Sequence, residues 1–230
     1  MNTADLVPTG ILRASINLGN PVLAQGTPDA PAGVTVDLAR EVADRLGVGV
    51  QFLCFDAARK SFEALTRGNA DIGFLAIEPA REAQVSFTAP YAIIEGVYAV
   101  PDNSRLKSVA DIDRAGVRIG VKEGSAYDLF LTRTLKNAEI VRGSDGTEIF
   151  EKERLDVAAG VRQPLVAYVD SRPGLRLIEP RFMEIRQAVA IPKGRDITIL
   201  RELIETLKAN GFVAGSLARS GQNATVAPPA

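Results

Sequence analysis

Two places in the chain combine residue type and spacing in a way that suits ligand chemistry: Arg81, and the turn Gly124-Ser125-Ala126. Arg81 follows Glu78-Pro79-Ala80. Proline is favourable in a first helical turn, because its missing N–H is not needed there. A short helix is therefore predicted from Pro79, with Arg81 near its start. A cation there faces the positive end of the helix dipole, which favours an anion close by. The planar guanidinium fork matches a carboxylate bidentately. The competing reading is a solvated surface arginine. Gly124-Ser125-Ala126 opens a helix directly after a predicted strand. Backbone N–H groups at such a start form an anion site, and a Ser hydroxyl adds a donor. A plain Ser N-cap fits the same residues.

What the chain lacks narrows the chemistry. It has no His and one Cys, which removes His-dependent triads, most zinc sites and any internal disulfide. No catalytic residue, metal or cofactor is assigned. Cys54 stands in the apolar run Phe52-Leu53-Cys54-Phe55 and is expected as a buried core thiol. Lys and Arg number 27 against 28 Asp and Glu, a net charge of -1, which argues against a nucleic-acid surface or a polybasic membrane patch. No stretch approaches the ~20 apolar residues of a membrane span, so no stable membrane insertion is expected. Met1 to Asp5 show neither the basic nor the apolar region of a secretory signal. Either such a signal was removed or the protein stays in the cytosol. The tail Gln222 to Ala230, small and Pro-rich, is expected to be disordered.

The elements that must position these residues alternate strand and helix, which means α/β layers with largely parallel sheets. Leu12–Leu18 reads as a strand. Val36–Leu46 reads as a helix, with Val36, Ala39, Val42, Ala43 and Leu46 on one face and Gly47 as the stop. Val48–Phe55, Asp71–Ile77, Ile93–Val100, Val117–Val121, Ala138–Val141, Leu155–Val161, Leu175–Ile178 and Ala188–Ile191 read as strands. Helices are expected at Ala58–Arg67, Ala126–Leu135 and Thr147–Lys152, from Pro164, and at Ile197–Asn210. The rhythm restarts near residue 93, which fits two α/β lobes.

Five segments together resemble the type II periplasmic solute-binding proteins, in the polar amino-acid-binding family (ABC transporter substrate-binding proteins, family 3). They are Gly10–Ala14, Gly33–Gly47, Gly68–Gly73 running on to Glu78–Arg81, Val85–Tyr91, and Val117–Ala126. Each match is weak; their order over Ile11 to about Gly215 makes the set specific. The resemblance implies two lobes joined by two hinge strands, with ligand in the cleft between them. Lobe 1 would be residues 1–96 plus 190–230, and lobe 2 residues 97–189. It further implies a monomer, a periplasmic location, and docking on ABC permease subunits.

The resemblance also assigns roles. Arg81 matches the family's clamp for the ligand α-carboxylate, and Gly124, Ser125 and Ala126 match its N–H donors. Ala76 stands where the family often has Ser or Thr, so only its backbone N–H remains. The family's Asp for the ligand ammonium falls here at Val161 or Arg162. An arginine cannot pair with an ammonium. The expected ligand is thus a small anionic metabolite without an α-amino group. Were Arg162 to face the cleft, a second anionic group would be favoured; otherwise it points to solvent or pairs with a structural carboxylate. Family aromatic rings are missing from the loops around Asn17–Gln25 and Asp56–Lys60. Asn17 and Asn20 are candidate donors in their place, or simply turn residues. Arg59 and Lys60 read as a solvated helix start. Glu95 is an isolated charge in an apolar run, expected to offset the arginines or to lie exposed. A second class remains open: relatives on this scaffold dehydrate cyclohexadienyl acids, for which Glu78 or Glu95 would have to serve as general acid. A third is a cytosolic sensor or scavenger of the same fold.

Overall fold

The structure is a computed structural model that describes residues 3–222 and 224–230. The chain divides into two compact units, Met1–Ile93 with Arg186–Ala230, and Ile94–Ile185. Both divisions fall inside continuous strands, three and four residues before the positions expected from sequence.

Unit 1 begins with α1 (Thr3–Leu6), β1 (Ile11–Asn17), the small hairpin β2 (Gln25–Thr27) and β3 (Ala30–Ala32), α2 (Val34–Leu46) and β4 (Gly49–Phe55). It continues through α3 (Ala58–Thr66), β5 (Ile72–Ala76), α4 (Pro79–Glu82) and the first part of β6 (Val85–Pro101). β1 pairs in parallel with both β4 and β5. Val36, Ala39, Val42 and Ala43 of α2 are buried, as the helical spacing predicts, and so are Val34 and Leu38, while Leu46 is only half-buried. The helix starts two residues earlier than expected, at a Gly33 whose φ of 104° suits only glycine, and a Cβ there would sit 2.7 Å from the Leu23 carbonyl oxygen. Its other end is Gly47, left-handed as a C-cap should be. On another side Ala64, Leu65, Leu75, Val85, Phe87, Ala188 and Ala190 form one core cluster. Burying a Leu- or Phe-sized side chain is worth about 1.5–3 kcal/mol, so this cluster fixes α3 on β5.

Unit 2 carries β7 (Arg118–Lys122), α5 (Ala126–Thr134), β8 (Glu139–Gly143), α6 (Gly146–Lys152), β9 (Val157–Val161), α7 (Arg162–Asp170) and the first part of β10 (Leu175–Pro192). β7 lies parallel to both β8 and β9, and β9 pairs antiparallel with β6. Val97, Ala99, Phe150, Leu155, Ala158 and Leu165 form its core cluster. α7 starts at Arg162, two residues before the expected Pro164. Past residue 185 the chain is again in unit 1, with α8 (Thr198–Ala209), α9 (Phe212–Arg219) and β11 (Thr225–Val226).

Three expectations are corrected. The separate segments Leu175–Ile178 and Ala188–Ile191 are one strand, β10. Glu179-Pro180-Arg181 breaks the apolar run, but alternation resumes at once: Met183, Ile185 and Gln187 are buried while Glu184 and Arg186 are exposed. The tail is not disordered in residues 224–230. β11 pairs antiparallel with β6, and Ala227 is buried. Residue 223 lies outside the described residues. Cys54 is only half-buried, on the edge strand β4, because its side chain lies under the β2–β3 hairpin, near the Pro28 carbonyl, rather than in the core.

Candidate functional site

In unit 1, β5 ends at Ala76 and α4 begins at Pro79, so Ala76 and Arg81 face each other across a tight turn. The turn is closed by the Arg81 and Glu82 N–H groups donating to the Glu78 carbonyl, at 2.8 and 3.0 Å. The Arg81 side chain is buried, 3% exposed, and donates through Nη1 to the Ala76 carbonyl at 3.0 Å. Glu78 is buried beside it. Burial pulls the Arg81 guanidinium down to about 10, an effect the Glu78 charge partly offsets. Ala76 itself is buried, with Gln187 of β10 as its register partner. Sequence reasoning treated Arg81 as a choice between surface residue and anion receptor; the surface reading fails on burial.

Asn17 and Asn20 lie in the turn after β1. The Asn17 side-chain oxygen accepts from the Gly19 N–H at 3.1 Å, and that of Asn20 from the Val22 N–H at 3.3 Å. Their side-chain carbonyls serve turn chemistry, which does not involve the amide N–H groups expected to donate. Arg59 and Lys60 pair along α3 with Glu63 and Asp56 at i,i+4 spacing, a solvated helix start.

In unit 2, Ser125 is the N-cap of α5 and accepts the Asp128 N–H at 3.1 Å. Two of the three expected N–H donors have acceptors in the protein. Gly124 N–H donates to the Asp128 carboxylate at 2.8 Å, and Ser125 N–H to the Lys122 carbonyl at 3.1 Å. Asp128 is buried, and Arg142 donates through Nε to both of its oxygens. The start of α5 already carries an anion, and Ala126 is the member of the expected triplet outside this network. Sequence reasoning missed Asp128, although Ser125-Ala126-Tyr127-Asp128 has the Ser-x-x-Asp spacing of a capping box.

Also in unit 2, the expected residues Arg162 and Glu95 bind each other. Arg162 Nε donates to a Glu95 oxygen, and its two terminal nitrogens donate to the two oxygens of Glu179, the second at 2.8 Å. Arg181 donates to the other Glu95 oxygen at 3.2 Å and also to Glu184. Hydrogen bonds donated to Glu179 first, then to Glu95, hold the Arg162 guanidinium above its ordinary value. The same contact holds Glu179 below the usual carboxylate range. Arg162 therefore pairs with structural carboxylates, one of the readings open to it. Glu179 and Arg181 carried no sequence signal, because Arg181 lies 86 residues from Glu95 along the chain and Glu179 17 from Arg162, and each meets its partner only through the fold. Gly96, next to Glu95, allows this: a Cβ there would fall 2.7 Å from the Met183 side chain and 3.0 Å from the Phe182 ring.

Among the described residues no group of three or more His, Cys, Asp or Glu is placed to hold a metal ion, and no helix is long and apolar enough to cross a membrane.

Residues 17–219 match the family model of bacterial extracellular solute-binding proteins, family 3. The chain belongs to that family. No curated protein sequence matches it. The fold of this family 3 protein is similar to that of a P235GK mutant of ArgBP from T. maritima, with a TM-score of 0.77 at 21% identity over 96% of this chain and 99% of the other. It is similar to a putative ABC-transporter binding component from Wolinella succinogenes complexed with lysine, with a TM-score of 0.75 at 21% identity over 92% and 95% of the two chains. It also resembles an ancestral amino acid-binding protein described as a precursor of cyclohexadienyl dehydratase, with a TM-score of 0.76 at 20% identity over 94% and 97%. The family and most such neighbours are binding proteins rather than enzymes.

Proposed function

We propose that this family 3 solute-binding protein binds a small metabolite through a carboxylate, that the metabolite lacks an α-amino group, and that the protein works as an extracytoplasmic monomer with the permease of an ABC transporter. The observation that carries the reading is Arg81. Its guanidinium is buried, anchored to the Ala76 carbonyl, and lowered to about 10 by desolvation. A buried cation gains most from an anionic partner, and the guanidinium fork suits a carboxylate. The first turn of α5, at Ala126, is the candidate donor on unit 2.

The absence of an α-amino group is supported by the arginine cluster. An ammonium needs a carboxylate partner. Both oxygens of Glu95 and both of Glu179 accept from arginines, so an ammonium would have to displace one. The same bonds use all three Arg162 nitrogens, which removes the reason to expect a second anionic group on the ligand. Glu95, ion-paired with two arginines, is also a poor general acid, which counts against dehydratase chemistry. The neighbours described as bound to lysine and arginine make amino acids the class to test against.

Thermal unfolding against monocarboxylates, dicarboxylates, keto acids, prephenate and amino acids tests this. A ligand at about 100 times its Kd adds roughly 2.7 kcal/mol, a clear rise in Tm. Amino-free acids are expected to raise Tm, and Arg81→Ala to abolish the rise. A largest shift from lysine, arginine or glutamine that Arg81→Ala still abolishes would overturn the amino-free reading and leave the carboxylate reading standing. Shifts that survive Arg81→Ala would overturn both. Consumption of prephenate would restore the enzyme.

A further inference from the structure

β6 is the strand by which the chain first passes from unit 1 into unit 2, and the division falls between Ile93 and Ile94. The C-terminal strand reaches that point from the unit 1 side. Thr225 is in register with Ile93 and Val226 with Ala92, and the Ala227 N–H donates to the Tyr91 carbonyl at 3.1 Å. Within unit 2 the register of β9 on β6 starts at Gly96, opposite Val161. Ile94 and Glu95 are the two residues between, in register with neither β11 nor β9.

The end of the tail is fastened to the same place. Lys208, on α8, has a side chain only 5% exposed. Its Nζ donates to the Pro90 carbonyl of β6 at 3.2 Å and to the Pro228 carbonyl of the tail at 2.9 Å. Glu205, one turn earlier on α8, accepts the Ala230 N–H at 3.3 Å. The same Nζ is ion-paired with Glu205 at 2.5 Å, so a largely buried ammonium is held by one carboxylate and two backbone carbonyls. Here it joins the tail to the strand just before the division. The second of the two residues, Glu95, has its side chain gripped by Arg162 and Arg181 of unit 2.

We propose that residues 224–230 are a strap that confines bending of β6 to Ile94 and Glu95. Bending between packed units is absorbed by a few residues at element ends. With the strap in place, β6 is paired through Ile93 by β11 as well as by β10. With the strap loosened, the stretch held by β10 alone extends back toward Tyr91 and Pro90. The strap thus sets the stiffness of this junction without touching Arg81 or α5.

Two full-length variants test this. Ala227→Pro removes the N–H that donates to Tyr91. Lys208→Met keeps the apolar stem and removes the ammonium, so it keeps the test open if the proline disturbs folding. Hydrogen exchange of the backbone amides of residues 91–95 is the first readout. The second is the distance distribution between spin labels at the exposed positions 44 and 148 (Asp44→Cys and Glu148→Cys in a Cys54→Ser background). Exchange at 91–95 is expected to speed up about tenfold in both variants, with β1 and α2 unchanged, and the label distribution to broaden. Unchanged exchange and unchanged distances would overturn the proposal. So would acceleration spread equally over β1 and α2, since the tail would then be a general support of unit 1.

Discussion

Arg162 binds Glu95 through Nε while its two remaining nitrogens grip Glu179, so one guanidinium ties α7 to both β6 and β10. The partners are partly exposed, with side chains 26%, 33% and 58% accessible for Arg162, Glu95 and Glu179. Exposed pairs are worth about 0–1 kcal/mol each, and a network somewhat more. Arg162→Ala is expected to cost about 1–2 kcal/mol in urea unfolding at low salt, and less at 1 M salt, where the Debye length falls to about 3 Å. Arg162→Lys is expected to recover less than half, because an ammonium cannot reproduce the fork. Full recovery by lysine would show that only charge matters.

Asp71 answers a different need. It is fully buried and accepts from the Arg13 N–H and from the Arg13 side chain at 3.0 and 2.7 Å, with Arg195 at 3.3 Å. It joins β1 and the start of β5 to the segment before α8. Removing one partner of a buried pair costs about 3–5 kcal/mol; because the two arginines remain about one-fifth exposed, about 2–4 kcal/mol is expected for Asp71→Ala. Chemical denaturation of Asp71→Ala beside wild type checks this, and a loss below 1 kcal/mol would reduce Asp71 to an ordinary surface-type pair.

Tyr91 predicts a gain. Its ring is fully buried edge-on to Phe74, at 6.2 Å between centroids. Its hydroxyl has no hydrogen-bond partner among the described residues, and burial pushes its ionisation well above the ordinary tyrosine value. An unmade buried hydrogen bond costs about 1–3 kcal/mol, so Tyr91→Phe, which removes the group and keeps the ring, is expected to raise stability by about 1 kcal/mol. A fall in Tm would reveal a partner for the hydroxyl, such as an ordered water.

Acid should weaken the fold before base does. Asp113 is held low by the N–H groups of Asn137, Ala138 and Lys136, and Asp111 by Ser108 and the Lys107 N–H. Glu151 is held low by Tyr168 and Arg172, and Glu179 by Arg162. Each folded value lies below its unfolded one. The stability they contribute is therefore present above the ordinary carboxylate range of about 3.9–4.3 and is lost as pH falls through the depressed folded values. Tm is expected to stay level down to about pH 5 and to fall steeply below about pH 4. The stability gap between wild type and Asp113→Asn should narrow over the same window. A gap that widens on acidification would reverse the sign assigned to Asp113.

Much of this was legible in the chain. The apolar spacing of α2, the stop at Gly47, the proline start of α4 and the N-cap at Ser125 are local signals, set by backbone geometry within one or two turns, and the structure reproduces them within about two residues. The absence of His by itself excludes His-dependent triads and most zinc sites. The places where local reading failed all depend on long-range pairing. The charges around Pro180 left a gap between two expected strands, because a strand's tolerance for alternating charge is decided by which face its neighbours bury. The tail looked disordered by composition, yet two β-branched residues and a lysine from α8 were enough to lay it on β6. Arg162 and Arg81 were each a cation with two readings in the sequence. Only the tertiary structure handed one to Glu95 and Glu179 and buried the other beside Ala76, since a charge's role is set by the dielectric and the partners around it, and neither is written in the local sequence.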